Sequence, residues 1–153
     1  MRKALLFALA LAPVVSCQKE DAAKAPAPAL APAPAYPQTW QLVKLTGQIP
    51  GYIKTGADLP WQETYVFQAD GTFTKTRQQG PAVAGARGTF AVQDFSGSPY
   101  AVLTYAAPSP LIGSCTASQG TETLAVRADD TLVSTWQACD GPGLEYKKVP
   151  GAR

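Results

Sequence analysis

Eight short runs rich in Thr, Val, Tyr, Phe and Trp recur between Gly, Pro and Asp residues, and this repetition restricts the fold most. The runs are Trp40–Thr46, Glu63–Ala69, Thr72–Gln78, Gly88–Gln93, Tyr100–Ala106, Glu122–Ala128, Thr131–Ala138 and Leu144–Val149. Such runs are typical of strands, and many short strands at this spacing indicate a sandwich or a barrel. We predict an all-β domain. A small antiparallel up-and-down barrel of about eight strands is favoured over a β-sandwich, because closure removes exposed edges.

Two of the predicted hairpins share the sequence Ala-Asp-x-Thr at their turns. In the first, a two-residue turn would place Phe67 and Phe73 on opposite faces of the sheet, whereas a three-residue loop pairs them on one face. We predict the three-residue loop, with Gly71 in the left-handed conformation. The same register in the second hairpin gives Asp130 the position that Gly71 holds, and Asp tolerates that conformation better than most residues.

The first 16 residues have the layout of an export signal, with two basic residues before the apolar run Ala4–Ala12. This run is about half of the ~20 residues that a membrane-spanning helix needs. The sequence Val-Val-Ser-Cys ending at Cys17 resembles the lipobox of bacterial lipoproteins, which are acylated on the cysteine, for example with palmitate, and cleaved before it. The resemblance implies a cell-envelope protein anchored through Cys17. Gln18 in the next position implies the outer membrane. The alternative is an ordinary secretory signal that leaves Cys17 free.

The segment 17–37 continues from the cysteine as a polar and then Ala/Pro-rich stretch, which we interpret as a tether to a domain spanning 38–153. The chain has 13 basic and 11 acidic residues. Two basic residues lie in the signal, and two of each sign lie in the tether, which leaves nine of each from Gln38 onward. A neutral domain without a basic cluster argues against binding to nucleic acid and against electrostatic attachment to a membrane.

The chain has three cysteines, and lipid on Cys17 would leave Cys115 and Cys139 as a pair. In an oxidising compartment we predict a disulfide between them, worth roughly 3 kcal/mol for a loop of this length. A metal or redox site is the alternative. The chain has no histidine and no Cys-x-x-Cys motif, so we expect no bound metal and no cofactor.

Catalysis is not expected either, because without histidine the usual Ser-His and Cys-His pairs cannot form. The remaining candidates are carboxylates. Asp70, Asp129, Asp130 and Asp140 lie at predicted turns, where Asp is favoured for backbone reasons. Glu63, Asp94, Glu122 and Glu145 are scattered without a motif.

Several segments together resemble the lipocalin-like domains of bacterial lipoproteins. They are Trp40 at the start of the first strand, Tyr-Val-Phe-Gln-Ala-Asp-Gly-Thr-Phe (65–73), Gly-Thr-Phe-Ala-Val (88–92) and the terminal Cys-Asp-Gly-Pro-Gly-Leu-Glu-Tyr-Lys-Lys-Val (139–149). The resemblance implies a small eight-stranded barrel with an internal cavity and no catalytic apparatus. We therefore hypothesise a monomeric, non-catalytic protein that binds a small apolar or amphipathic ligand inside the barrel.

The candidate ligand-binding residues follow from strand parity, which places them on the inward face. They are Tyr65, Phe67, Phe73, Phe90, Val126 and Trp136, with Arg77 as a polar determinant. Parity places Lys75 inward as well, where it and Arg77 would form a cationic patch suited to an acidic headgroup. The favoured alternative is that the strand bulges or ends by Lys75, so that both side chains reach solvent, because buried cations need partners.

The second hypothesis is a filled barrel that docks on an envelope protein or inhibits a lysozyme or protease. Its candidate contact residues are Tyr52, Trp61 and the loop 109–115. Tyr52 and Trp61 belong to the long connection 47–62, which is apolar enough to pack on the domain. We expect this connection to plug the closed end of the barrel, although it could cover the open end or present an aromatic anchor to a partner.

Overall fold

The computed structural model describes residues 35–150, which form nine antiparallel strands and three short 3-10 helices. The strands are β1 (Gln38–Thr46), β2 (Ile53–Thr55), β3 (Gln62–Phe67), β4 (Thr72–Gln79), β5 (Ala82–Phe95), β6 (Ser98–Tyr105), β7 (Thr121–Arg127), β8 (Thr131–Ser134) and β9 (Gly143–Val149). The 3-10 helices are Gly56–Asp58, Ala117–Gln119 and Trp136–Cys139.

The strands close into an eight-stranded barrel. Consecutive strands from β3 to β9 pair with one another, β1 pairs with β3, and β9 returns to pair with β1. The short β2 is an additional strand that pairs with the second half of β1. The prediction of an all-β, up-and-down antiparallel barrel is therefore confirmed, and the β-sandwich is excluded.

The two predicted hairpin registers are confirmed. Phe67 pairs directly with Phe73, and Gly71 has a φ of 80° in the loop between them. In the hairpin between β7 and β8, Val126 pairs with Leu132, and Asp130 takes the left-handed conformation with a φ of 54°. Inward-facing residues therefore follow strand parity, as the sequence predicted.

Most strand bounds differ from the prediction by one or two residues, and the larger differences concern β5, β8 and the additional strand β2. β5 begins at Ala82 and not at Gly88, because the small residues before Gly88 pair with the second half of β4. β8 ends at Ser134, since the following residues turn into the 3-10 helix Trp136–Cys139. β2 is absent from the prediction because it has only three residues. It follows two glycines and a proline, which are typical of a loop.

The ends of the barrel differ in how they are covered. One end, the mouth, carries the short turns of the β3–β4, β5–β6 and β7–β8 hairpins together with the start of β1 and the end of β9. The other, the closed end, carries the long connections 47–61, 106–120 and 135–142. The connection 47–61 thus lies at the closed end, where Leu59 is buried and Trp61 packs against the core.

The closed end is plugged by the connection between β6 and β7. Leu111, Ile112 and Ser114 are buried there. The prediction that the loop 109–115 offers a surface to a partner is wrong for these residues, because their side chains fill the barrel end. The predicted disulfide between Cys115 and Cys139 is confirmed, with the two Cα atoms 5.7 Å apart. It ties the plug to the 3-10 helix before β9.

The predicted signal, Cys17 and the tether as far as Pro34 lie outside the described residues. Within residues 35–150, no helix is long and apolar enough to cross a membrane.

Candidate functional site

A cavity of about 280 Å³ lies inside the mouth of the barrel. Its aromatic walls are Tyr36, Trp40, Phe67 and Phe90. Its aliphatic walls are Val92, Ala101, Val126 and Leu132. Gln38, Asp130 and Lys148 supply polar groups. The cavity is thus an apolar space with a few polar groups, which is the usual composition of a small-molecule site.

The aromatic walls of the cavity are held by contacts with one another. The rings of Phe67 and Phe90 meet edge to face at 4.6 Å, and Tyr36 lies 6.1 Å from Phe90. Tyr65 stacks on Phe67 from the interior side at 5.8 Å. Aromatic pairs in these geometries stabilise one another beyond the area that they bury, so the walls of the cavity support one another.

Two groups of opposite charge border the cavity. Lys148 Nζ lies 5.9 Å from the centroid of the Trp40 ring, a cation–π contact. Asp130 stands in the β7–β8 turn, where its backbone oxygen accepts a hydrogen bond from the Lys148 amide at 3.5 Å. A ligand in this cavity would therefore contact apolar walls inside and charged groups at the rim.

The structure divides the predicted ligand residues into three groups. Phe67, Phe90 and Val126 line the mouth cavity. Tyr65 and Phe73 are buried beneath it in the core. The remaining two lie at the closed end, away from the cavity: Arg77 and Trp136.

A cluster of buried ions fills the barrel below the cavity, toward the closed end. Lys75 is completely buried between two completely buried carboxylates, with its Nζ 3.1 Å from Glu63 Oε1 and 3.2 Å from Glu122 Oε1. Lys75 also donates to the Leu111 carbonyl oxygen at 2.6 Å, which links the cluster to the plug. Arg77 Nε donates to Glu63 Oε2. Two cations and two carboxylates therefore balance one another inside the barrel.

Three tyrosine hydroxyls complete the hydrogen bonding of the two carboxylates. Tyr146 donates to Glu63 at 2.6 Å, Tyr65 donates to Glu122 at 2.9 Å, and Tyr105 also donates to Glu122. Burial raises the pKa of all three phenols, and the adjacent carboxylates raise the pKa further. The phenols consequently stay protonated and act as donors throughout the physiological range.

The expectation that Lys75 and Arg77 reach solvent is wrong. β4 continues without a bulge to Gln79, which keeps both side chains on the inward face. Glu63 and Glu122 supply the partners that a buried cation requires. The Arg77 guanidinium also lies 4.6 Å from the ring centroid of Trp61, which is half-buried.

Sequence reasoning missed Glu63 and Glu122, although the signal was present. The register that pairs Phe67 with Phe73 also pairs Tyr65 with Lys75 and Glu63 with Arg77. An inward cation directly opposite an inward carboxylate predicts an ion pair. Glu122 follows from parity too, because it lies two residues before the inward-facing Leu124.

The two parts of the barrel interior suit different roles. The carboxylates of the ion cluster have no exposed surface and are occupied by cations and phenols, so the cluster offers no position for a substrate. It forms the polar part of the core and holds the plug. The mouth cavity is apolar and reaches the surface through its rim, so it is the candidate site.

No group of three or more metal-ligating side chains occurs in the part of the chain that the structure describes. Comparison with known proteins finds no matching family model, no matching curated protein and no matching solved structure. The barrel agrees with the lipocalin-like architecture that the sequence resembles, while membership of that family stays a prediction.

Proposed function

We propose that this protein binds a small apolar or amphipathic ligand in the mouth cavity and carries out no catalysis. The single observation that carries the proposal is the cavity of about 280 Å³, with aromatic and aliphatic walls and charged groups at its rim. Burial of apolar ligand surface would supply the binding free energy. Lys148 and Asp130 would orient a polar group of the ligand at the rim.

The volume of the cavity limits the size of the ligand. Ligand pockets usually measure ~300–1,000 Å³, so this cavity of about 280 Å³ lies at the small end of the range. The proposed occupant is a single small ring system, or the apolar end of a longer amphipathic molecule whose remainder stays outside.

We further propose that lipid on Cys17 anchors the chain in the cell envelope, with the outer membrane as the expected site. The support comes from the lipobox-like sequence, the short apolar signal and the Ala/Pro-rich segment after the cysteine. The disulfide between Cys115 and Cys139 agrees with this, because such bonds persist in oxidising compartments. Mass spectrometry of the protein from its native membrane would show an acylated Cys17 or a free thiol.

Ligand binding is tested by native mass spectrometry and by fluorescence titration with 1-anilinonaphthalene-8-sulfonate and with fatty acids. The variant Val126→Trp places a large ring in the cavity, and Val83→Trp adds the same ring at an exposed position on β5. We expect Val126→Trp to weaken probe binding by about tenfold or more, because it removes the space that the probe occupies. Val83→Trp should bind as the unsubstituted protein does.

Two results would contradict the proposal. The first is equal probe binding by Val126→Trp and the unsubstituted protein. The second is a protein that carries no ligand after purification and binds neither fatty acids nor the dye.

A docking module is the second candidate function, and the β1–β2 hairpin favours it. Ile49, Tyr52 and Ile53 are 72%, 43% and 56% exposed at the closed end. Adjacent exposed apolar side chains of this kind occur at protein interfaces. Crosslinking in intact envelopes from position 52 should then capture a discrete protein, and Ile49→Ser with Ile53→Ser should abolish that product. Trp61 is a weaker anchor than predicted, because it is half-buried beside Arg77.

A further inference from the structure

The β5–β6 hairpin extends beyond the rest of the barrel at the mouth. At this end of the barrel β4 begins at Thr72, which pairs with Thr89, whereas β5 continues for six more residues to Phe95. β7 pairs with β6 only from Tyr100 onward. The tip of the hairpin, residues 91–99, is therefore a two-stranded ribbon, and we call it the mouth ribbon.

The mouth ribbon has a tight turn and carries exposed apolar side chains. Its turn consists of Ser96 and Gly97, both with positive φ, as in the tight two-residue hairpin turns. Gly97 N donates to Asp94 Oδ1 at 2.7 Å, which fixes this turn. Val92 is 59% exposed and Phe95 is 50% exposed. Val92 lines the cavity and faces inward, whereas Phe95, three residues later and beside the turn, lies on the opposite face of the ribbon. Phe95 is therefore the apolar side chain that the tip of the ribbon exposes.

The chain enters the barrel at the same end. Tyr36 lines the mouth cavity and contacts Phe90, and β1 begins two residues later at Gln38. Only 17 residues, Gln18 to Pro34, separate Cys17 from the first described residue. In a polyproline-like state, at ~3.1 Å per residue, a Pro-rich segment of this length would span roughly 50 Å. An anchor at Cys17 therefore keeps a bilayer within reach of the mouth.

We propose that the mouth end docks on the bilayer that holds Cys17, with Phe95 of the mouth ribbon entering the lipid interface. The proposal rests on the proposed anchoring of Cys17. Phe95 packs against Tyr100 at 5.5 Å, and the register places both side chains on the outer face of the ribbon, next to its tip. The contact is apolar and not electrostatic, because the chain from Gln38 onward carries nine charges of each sign. The cavity then opens toward lipid, and its ligand enters from the membrane side.

The experiment attaches residues 17–153 to vesicles of neutral phosphatidylcholine by coupling the Cys17 thiol to a maleimide-bearing lipid. Residues 35–150 close a barrel with its own core, so removal of the first 16 residues leaves the fold in place. The disulfide keeps Cys115 and Cys139 out of the coupling reaction. Attachment is thereby made independent of natural acylation, which separates a failure of this proposal from a failure of the proposed anchor.

The reporter is the fluorescence of a tryptophan placed at one end of the barrel, read against lipids brominated near the top of the acyl chain. Phe95→Trp reports on the mouth ribbon, and Ile49→Trp is the matched control at the closed end, since Ile49 is also exposed. We expect the emission added by Phe95→Trp to fall about twofold in brominated vesicles, and that added by Ile49→Trp to stay unchanged, because only the mouth contacts lipid.

Three results would overturn the proposal. They are no quenching of either reporter, equal quenching of both, and quenching of Ile49→Trp alone. The first would leave the mouth ribbon as a surface for a protein partner. Binding of 1-anilinonaphthalene-8-sulfonate to the same variants is also measured without vesicles. If the unattached variants do not bind the dye, that result counts against the proposed ligand cavity. It does not count against docking, which only the quenching by brominated lipid tests.

Discussion

Glu63 and Arg77 stand directly opposite each other on β3 and β4, and the Arg77 guanidinium donates to the Glu63 carboxylate inside the barrel. At the next inward-facing pair toward the mouth, two residues along each strand, Lys75 lies opposite Tyr65 and bridges Glu63 to Glu122. The charged layer thus separates the plug from the aromatic layer under the mouth. The two cations and two carboxylates balance in charge, while Arg77 Nη2 is buried without a hydrogen-bond partner among the described residues.

The first prediction concerns Lys75, whose replacement by Met leaves two buried carboxylates with only Arg77 to balance them. We expect Lys75→Met to lower the free energy of unfolding by about 3–5 kcal/mol, the usual cost of removing one partner from a buried ion pair. Urea unfolding followed by tryptophan fluorescence measures the change. Lys44→Met removes the partner of Glu145 in a half-exposed pair at 2.8 Å, and it should cost less than about 1 kcal/mol.

A double variant separates the loss of charge balance from the loss of packing. Lys75→Met combined with Glu122→Gln removes one charge of each sign and leaves the Glu63–Arg77 pair intact. This variant should recover part of the stability that Lys75→Met loses. Failure to recover any would mean that packing around Lys75 and its bond to the Leu111 carbonyl, not charge, dominate the effect.

The second prediction concerns alkaline pH. Folding raises the pKa of Tyr65, Tyr105 and Tyr146, so the folded protein keeps protons that the unfolded chain begins to lose near pH 10. The unfolded state then binds fewer protons, and stability falls as the pH rises above that value. The expected slope reaches ~1.4 kcal/mol per pH unit for each phenol. Urea midpoints from pH 8 to 11 measure it.

A matched variant tests the origin of this slope. Tyr105→Phe removes one of the three buried hydroxyls, and the fall in stability per pH unit should decrease by about one third. The comparison uses the slope and not the absolute stability, because Glu122 also loses a donor in this variant. An unchanged slope would assign the alkaline loss of stability to other groups.

The sequence predicted the barrel because strand parity and turn geometry carry long-range information. The register between Phe67 and Phe73 follows from one turn, and it places every inward residue of β3 and β4. The same parity predicts the pairing of Glu63 with Arg77. A buried cation is unfavourable in isolation. Its partners can come from strands that are distant in sequence, as Glu122 does for Lys75, and no local pattern predicts that pairing.

Other features depend on packing that no local pattern records. The sequence around Ile112 predicts an exposed loop, because turn residues flank a short apolar stretch, whereas Ile112 is buried in the plug. The sequence assigns Tyr36 to the Ala/Pro-rich segment, whereas in the structure its ring lines the cavity and contacts Phe90. The sequence predicts that Trp136 belongs to a strand, whereas in the structure it lies in a 3-10 helix at the closed end. In each case tertiary contacts decide the position of the side chain.

The third prediction concerns two glycines of β5. A Cβ atom on Gly88 would lie 2.0 Å from the Thr104 carbonyl oxygen and 2.9 Å from the Phe73 ring, whereas on Gly85 it would meet nothing closer than 3.9 Å. Gly88→Ala should therefore destabilise the protein by ~1–3 kcal/mol or more through overpacking. Gly85→Ala should be nearly neutral. Equal thermal stability of the two variants would contradict the close packing of β5 against β6.

The last prediction concerns the disulfide, which closes a loop of 24 residues at the end opposite the cavity. Replacing Cys115 and Cys139 by Ser should lower the free energy of unfolding by roughly 3 kcal/mol, because the unfolded chain regains the entropy that the bond removes. The mouth cavity shares no residue with this bond, so binding of 1-anilinonaphthalene-8-sulfonate should keep its affinity in conditions where the variant is folded. If affinity falls in parallel with stability, the plug and the mouth are coupled through the ion cluster. Lys75 would be the connecting residue, since it contacts both carboxylates and the plug backbone.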